Sequence, residues 1–412
     1  MNDASDETSM DWLDDGSVTT PEGFWAGGIY TGVKTYGDEP RLDLGVLLSD
    51  RPCEVAGVLT KNAVNGPAVG RARRLLEAGG AARAIVANSG ISNTVTGQQG
   101  IRDTQRIGEL VAERFGIDES GVFIGSTGVI GRLLEMPPIE EGIASIELSE
   151  NGGGQFARAI LTTDTRTKEA AVRFEVDSVT YHVGGCAKGS GMIHPDMATM
   201  FGFITTDAPV DRVWLQAALS LIADRTFNML DIDMDTSTSD TVLILANGAA
   251  GGEPVGRGHA AAGPLAGALE AVARHLTREL ARDGEGANTL IEAVVEGAAS
   301  AEDARLAART VVSSPLVKTM VTGRDPNWGR VMMAVGRSGA QVEQDRVSVW
   351  VGPHCVLDGG TPTAVDLTAV SSAMETDEVK LRVDLALGDG EVTAWGCDLT
   401  TEYIHINADY TT

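Results

Sequence analysis

The chain has 412 residues, more than one ordinary hydrophobic core encloses, and its 58 acidic against 32 basic side chains leave a net charge of −26. With 43 % hydrophobic and 22 % charged residues it is a foldable globular chain and not a disordered one. So acidic a surface repels nucleic acid and anionic membrane, and no Lys/Arg-rich run overrides it.

In chain order, the N-terminus MNDASDETSMDWLDD is acidic, with neither a basic n-region nor an apolar h-region. Residues 1–20 are therefore expected to form a disordered acidic tail on a cytosolic protein. LDLGVLLSD and EVAGVLTKN read as two strands separated by turn residues. GRARRLLEAGG reads as a short helix stopped by glycines, and ARAIVANSG as a buried strand. The rhythm continues through TQRIGELVAERFGI (helix), GVFIGSTG (strand into loop) and GQFARAILTT (helix). AVRFEVDSVTYHVGG alternates like a hairpin and leads into AKGSGMIHPDMATM. VWLQAALSLIADRTF predicts a helix, and DIDMDTSTSDTVLILANG an alternating strand, a polar turn and a buried strand. LAGALEAVARHLTRELARDGEG is the longest amphipathic helix, stopped by its D-G-E-G turn. TLIEAVVEGA reads as a strand and AEDARLAARTVVSSPLVKTMVTG as one helix. RVSVWVG, then LRVDLALGDGEVTAWGCDL around a G-D-G turn, then EYIHINADY close the chain. The interleaving predicts an α/β fold of layered mixed sheets flanked by helices. No apolar run approaches the roughly 20 residues that span a bilayer.

Several familiar sites are excluded. The chain has no G-x-x-x-x-G-K-[ST], no H-E-x-x-H and no G-x-S-x-G. Gly189-x-Gly191 begins like a dinucleotide loop, but His194 stands where a third glycine belongs. Asp231, Asp233 and Asp235 imitate the start of a calcium loop, yet Thr236 and Val242 occupy its glycine and glutamate positions, so an alternating strand face accounts better for them. Cysteines 53, 186, 355 and 397 are far apart and lack a histidine partner at finger spacing, so neither a disulfide framework nor a metal site is expected.

One threonine, Thr199, stands in the apolar stretch MIHPDMATMFGF. Either it is a core hydroxyl bonded to backbone, or it is a nucleophile in a dry pocket. His182 reads as structural. His194 is near Thr199 in sequence, but Pro195 between them fixes an extended bend, which disfavours a Thr/His dyad. A base exists in principle without histidine. Cutting the chain before a threonine frees an α-amine of pKa about 7.7–8.0, able to take the proton of that residue's own hydroxyl.

Seven ordered motifs decide between these readings: GSTGVIG (125–131), AKGSGMIHPDMATM (187–200), DTSTSDTVLILANG (235–248), RDGEGA (282–287), SSPLVKT (313–319), DPNWGRV (325–331) and WGCDLT with the terminal INADYTT. Together they resemble the ornithine/glutamate N-acetyltransferase family (ArgJ-type), over roughly residues 21–412. The resemblance implies an ArgJ/DmpA-like architecture of N-terminal-nucleophile type, cut between Ala198 and Thr199. An α chain of 21–198 behind the tail and a β chain of 199–412 would result, assembled as a heterotetramer of two α and two β chains. Thr199 would be the nucleophile, with Thr127 and Gly128 forming the oxyanion hole. Thr162, Thr163, Lys188, Thr199, Glu285, Asn407 and Thr412 would bind substrate. Chemically, Lys188 suits the α-carboxylate or the surroundings of the nucleophile, and Glu285 an ammonium, as zwitterionic amino acids require.

The implied activity moves an acetyl group from N-acetyl-L-ornithine to L-glutamate through an acetyl-threonine enzyme, in the cyclic arginine pathway. No cofactor is implied; acetyl-CoA is open as a second donor, because both enzyme types share these motifs. The chain departs from the family pattern at Asp196, where asparagine is usual, in NSGISNTVTG (88–97), and at Met234, where glycine is frequent. Some members tied to antibiotic pathways vary in this way. The alternative is therefore a related acyltransferase or aminopeptidase of N-terminal-nucleophile type in a secondary-metabolite pathway.

Overall fold

The alternating stretches fold into strands β1 (Met10–Trp12), β2 (Phe24–Ile29), β3 (Leu44–Leu59), β4 (Ala82–Ile91), β5 (Val122–Val129), β6 (Lys168–Val176), β7 (Val179–Lys188), β8 (Phe201–Thr206), β9 (Leu230–Asp231), β10 (Thr241–Ala246), β11 (Leu290–Ala298), β12 (Ser348–Val351), β13 (His354–Asp358), β14 (Thr361–Pro362), β15 (Glu378–Asp384) and β16 (Gly390–Cys397). They belong to a computed structural model that describes residues 10–34, 41–194 and 200–409. The chain divides into a first unit of Met1–Gly189, Asp196–Ala223 and Thr236–Leu276 and a second of Ser190–Pro195, Asp224–Asp235 and Thr277–Thr412. Each unit holds one mixed sheet, giving the layered α/β fold that the sequence predicts.

In the first unit the order is β1-β6-β7-β8-β10-β3-β4-β5, with β2 added to β3. The two strands expected around SDRP are one, β3. Its first half pairs with β2 and β4, and its second half pairs with β10. Pro52 has no N–H to give a ladder and sits where the β3–β4 register shifts, between Leu48 and Cys53. The irregularity is absorbed as a bulge, not a turn.

Period-two alternation gives these strands two apolar faces. Leu47, Ile85, Ala87 and Phe123 share one core cluster with Phe156, Phe201, Phe203, Leu243 and Leu245. Val46, Ala84, Val86, Val122 and Ile124 share another with Ile107, Val111, Ile139 and Ile143, from helices Gly97–Phe115 and Met136–Ser145. Sheet is thus covered on both sides, which is why β4 is buried along nearly its whole length. The β6–β7 hairpin forms as expected. Its turn residues Asp177 and Ser178 have φ of 51° and 65°, the left-handed pair a two-residue turn requires.

The expected disordered tail of 1–20 is corrected from Met10 onward; residues 1–9 lie outside the described residues. β1 pairs with β6, and Val18 is fully buried. The acidic composition concealed one apolar anchor and a seat for it. A Cβ on Gly184 would come 2.1 Å from Ser17 O, so the tail lies directly on the β7 backbone.

In the second unit the order is β14-β13-β12-β15-β11-β16-β9. The hairpin expected around Gly388-Asp389-Gly390 does not form. The apolar β11 lies between its two arms, parallel to β15 and antiparallel to β16. Helix Ala301–Ser313, capped by Ser300 Oγ on Asp303 N at 3.1 Å, packs Ala304, Ala307, Ala308, Val311 and Val312 inward. The single helix expected there breaks at Ser314, held extended by the following Pro315, and restarts as Pro315–Thr322. The last described element is a helix, Thr401–Asp409. Among the described residues no helix is long and apolar enough to cross a membrane.

Gly184→Ala is expected to lower the unfolding free energy by about 1–3 kcal/mol, a typical overpacking cost. Urea denaturation measures it, and limited proteolysis should then cut first within residues 10–20.

Candidate active site

β5 carries Ser126-Thr127-Gly128 just before its last residue, Val129. Ser126 Oγ donates to Asn88 Oδ1 at 2.7 Å, and Asn88 Nδ2 to Ile91 O at 2.8 Å, which locks β5 to the end of β4. Gly128 pairs with Gly90 in the parallel ladder. Its φ is 124°, and a Cβ would lie 2.3 Å from the Gly90 carbonyl carbon, so only glycine fits.

β5 and β7 are not sheet neighbours, yet Lys188, the last residue of β7, reaches Thr127. Its Nζ donates to Thr127 Oγ1 at 3.2 Å. A hydroxyl that accepts from an ammonium still has its own proton to give, and the positive charge polarises that O–H. Thr127 therefore keeps a polarised O–H proton that it can donate.

The Lys188 backbone is held by Asp164, a carboxylate with no solvent exposure. Asp164 Oδ1 accepts from Gly189 N at 2.6 Å and from Lys168 Nζ at 2.7 Å. Oδ2 accepts from Thr162 N at 3.0 Å and lies 3.4 Å from Thr162 Oγ1. Burial pushes the Asp164 carboxyl up, but the Lys168 and Lys188 charges outweigh it and hold the group well below the ordinary carboxylate range. Lys34 N donates to Asp43 Oδ2 at 3.0 Å, and the Lys34 Cα lies against Gly90. Burial pushes the Lys34 ammonium down to about 8, against the pull of Asp43 and Asp164.

β8 begins at Phe201, two residues after Thr199 in sequence, and lies between β7 and β10. Lys188 pairs with Phe201 in the ladder, and its ammonium is 6.0 Å from the Phe201 ring centre. Thr241 N donates to Met200 O at 2.9 Å. Next to Thr241, Asp240 is buried, and its Oδ2 has no hydrogen-bond partner among the described residues. Burial pushes this acid well above its ordinary value, against the pull of Ser237, Lys188 and Thr60.

The second unit carries Glu285 on the D-G-E-G turn. Its N donates to Ser190 O at 2.7 Å, and Asn407 Nδ2 donates to Glu285 Oε2 at 2.8 Å. A Cβ on Gly191 would lie 2.4 Å from Glu285 Oε2, so that glycine makes room for the carboxylate. His194 Nδ1 is 2.7 Å from Asp231 Oδ1, and its Nε2 is 3.0 Å from Arg309 Nη2. With both ring nitrogens engaged, His194 is a structural residue, as is His182 on Asp207 in the first unit. Asp231, Asp233 and Asp235 do not form the expected strand face, because β9 ends at Asp231. Asp231 pairs with buried Lys318 at 3.2 Å. Asp233 accepts from Met192 N, Ile193 N and the Tyr403 hydroxyl. The Asp231 and Asp233 side chains turn inward as acceptors where the ladder stops, and Asp235 is exposed.

Of the site residues read from the sequence, Thr127, Gly128, Thr162, Thr163 and Lys188 fall in the first unit, with Thr162 and Lys188 tied through Asp164. Glu285 and Asn407 meet in the second. Ala198, Thr199 and Thr412 lie outside the described residues, as does Asp196. Sequence reasoning passed over Asp164, Lys168, Lys34 and Asp240. The scarcity of lysine was the available signal, since four of six lysines (34, 168, 188 and 318) are buried.

Comparison with known proteins agrees with the motifs. The sequence model of the ArgJ family matches residues 25–412. A curated relative, "Arginine biosynthesis bifunctional protein ArgJ" of Dehalococcoides mccartyi (strain CBDB1), is 47 % identical over 406 residues, 98 % of this chain and 100 % of that protein. The protein of the same name from Symbiobacterium thermophilum is 48 % identical over 405 residues, again 98 % and 100 %. The crystal structure of arginine biosynthesis bifunctional protein argJ from Bacillus halodurans is 42 % identical, with a TM-score of 0.49 over 50 % of this chain and 97 % of that one.

Lys34 makes stability depend on pH. Its ordinary pKa is 10.5 and its folded value about 8. Below about pH 8 both states hold the proton and the desolvation cost is full. Between the two values the unfolded chain binds the extra proton, so stability rises with pH through that window. Denaturation at pH 7 to 10 should show this rise in the wild type, and Lys34→Met should flatten it.

Proposed function

Since this chain belongs to the ArgJ family, we propose that it is an ornithine acetyltransferase, carrying acetyl from N-acetyl-L-ornithine to L-glutamate in arginine biosynthesis. Thr199 Oγ attacks the acetyl carbonyl. The C–N bond then breaks and protonated ornithine leaves. The glutamate amine next attacks the acetyl-threonine ester, returning the Thr199 hydroxyl and releasing N-acetylglutamate. Cleavage between Ala198 and Thr199 supplies the base, because the new α-amine of Thr199 takes the hydroxyl proton and passes it to the leaving amine. Thr127 and Gly128 receive the oxyanion of both tetrahedral intermediates. By charge, Lys188 suits a substrate carboxylate and Glu285 an ammonium; Thr162, Thr163, Asn407 and Thr412 complete the substrate-binding set that the family resemblance implies.

The observation that carries the reading is the Lys188–Thr127 bond, which leaves the Thr127 proton polarised and available at the end of β5. We further propose a cytoplasmic protein that works as two α and two β chains without a bound cofactor.

Incubation with N-acetylornithine should add one acetyl group to the chain beginning at Thr199, read by mass spectrometry, and glutamate should remove it. Release of the acetyl to water with none reaching glutamate would identify a hydrolase instead. Thr199→Ala should run as one full-length band and accept no acetyl. Thr127→Val should lower kcat by about 10²–10³-fold, the usual effect of losing one oxyanion donor.

A further inference from the structure

Thr127 and Gly128 have to aim two donors at one point, at a place where the sheet ladder alone does not fix the backbone. Gly128 and the Gly90 it pairs with have φ of 124° and 106°, outside the β region, so regular ladder geometry ends at this pair. Glycine is also the residue least restrained by its own sterics. A donor pair needs firmer support than that, because an oxyanion hole works only when held close to its productive geometry.

Side chains from the end of β4 supply the support on both flanks. Before the pair, Ser126 Oγ donates to Asn88 Oδ1 at 2.7 Å, and Asn88 Nδ2 donates to Ile91 O at 2.8 Å, beyond Gly90. After the pair, Val129 O accepts from Ser92 N and from Ser92 Oγ, each at 3.0 Å. Asn88, Ser92 and Ser126 are all buried. Successive side chains of a strand leave opposite faces, so Ser126 points away from the face that carries the Thr127 hydroxyl. These groups therefore reach the chemistry through the backbone. As filling alone they have no advantage, since apolar side chains of the same shape would be about as stable there.

We propose that Asn88 and Ser92 are positioning residues for acetyl transfer: they bracket Thr127–Gly128 through Ser126 Oγ and Val129 O, and so keep both donors aimed at the oxyanion. The inference rests on the oxyanion reading of Thr127 and Gly128. Loss of the bracket should slow the chemical steps and leave substrate binding unchanged.

The test is a double-mutant cycle in steady-state kinetics, with N-acetylornithine and glutamate varied and rates expressed per cleaved chain. Asn88→Ala, Ser126→Ala and Ser92→Ala are compared in wild type and in Thr127→Val, alongside thermal melts. Asn88→Ala should lower kcat about tenfold or more, with both KM values within about threefold of wild type. In Thr127→Val the same change should cost no more than about threefold, because only the Gly128 N–H is left to misplace. Ser126→Ala and Ser92→Ala should each cost about five- to tenfold in wild type and less than about twofold in Thr127→Val. Equal losses of kcat in the two backgrounds, a raised KM at unchanged kcat, or wild-type kinetics for Asn88→Ala overturns the proposal. If Asn88→Ala does not fold or does not cut itself, the two serine variants decide it by the same limits. Thr127→Val with wild-type kcat sinks the oxyanion reading, whereas a slow Thr127→Val beside an unmoved Asn88→Ala sinks this inference alone.

Discussion

A single buried carboxylate organises the candidate site. Asp164 takes backbone N–H groups from Thr162 and Gly189, and an ammonium from Lys168, with no exposure to water. These three donors around one ionised group repay its desolvation, and a buried charge of this kind is tolerated only when so satisfied. From it follow the direction in which Lys188 leaves β7 and hence the contact with Thr127 across two non-adjacent strands. The polarised hydroxyl at the end of β5 is the chemical consequence.

Close backbone approach is the second constraint. Gly90 and Gly128 face each other in the parallel ladder with φ of 106° and 124°, and neither position has room for a Cβ. The strand ends can therefore come near a ligand with only main chain and the Thr127 side chain in the way. Gly191 does the same for the Glu285 carboxylate in the second unit. Glycine at these places is a steric requirement, not a general sign of flexibility.

The second unit handles its aspartates differently. Asp231 sits between Lys318 and His194, and Asp233 gathers two backbone N–H groups and the Tyr403 hydroxyl. Burial pushes the Asp233 carboxyl up despite those donors. These side chains brace the stretch from Met192 to His194, which leads toward Thr199. The same hydrogen bonds occupy His194 on both nitrogens and remove it from consideration as a base.

Much of the fold was legible because local physics dictates it. Glycine stops, as at Gly79 after helix Pro67–Ala78, and strict alternation, as in the β6–β7 hairpin, act within a few residues. Family membership was equally legible, since seven motifs in order need no coordinates. What the sequence hid was set at long range. β3 runs through a proline because its two halves have different partners, and β11 separates β15 from β16 because an apolar strand buries more in the middle of a sheet than at its edge. Residue types and their order pointed to Thr127, Lys188 and Glu285 as candidate site residues. Only the tertiary structure decided that Asp164 pairs with Lys168 and holds the backbone at Thr162 and Gly189, because the pairing of buried charges depends on which strand ends meet, and that is a property of the whole fold.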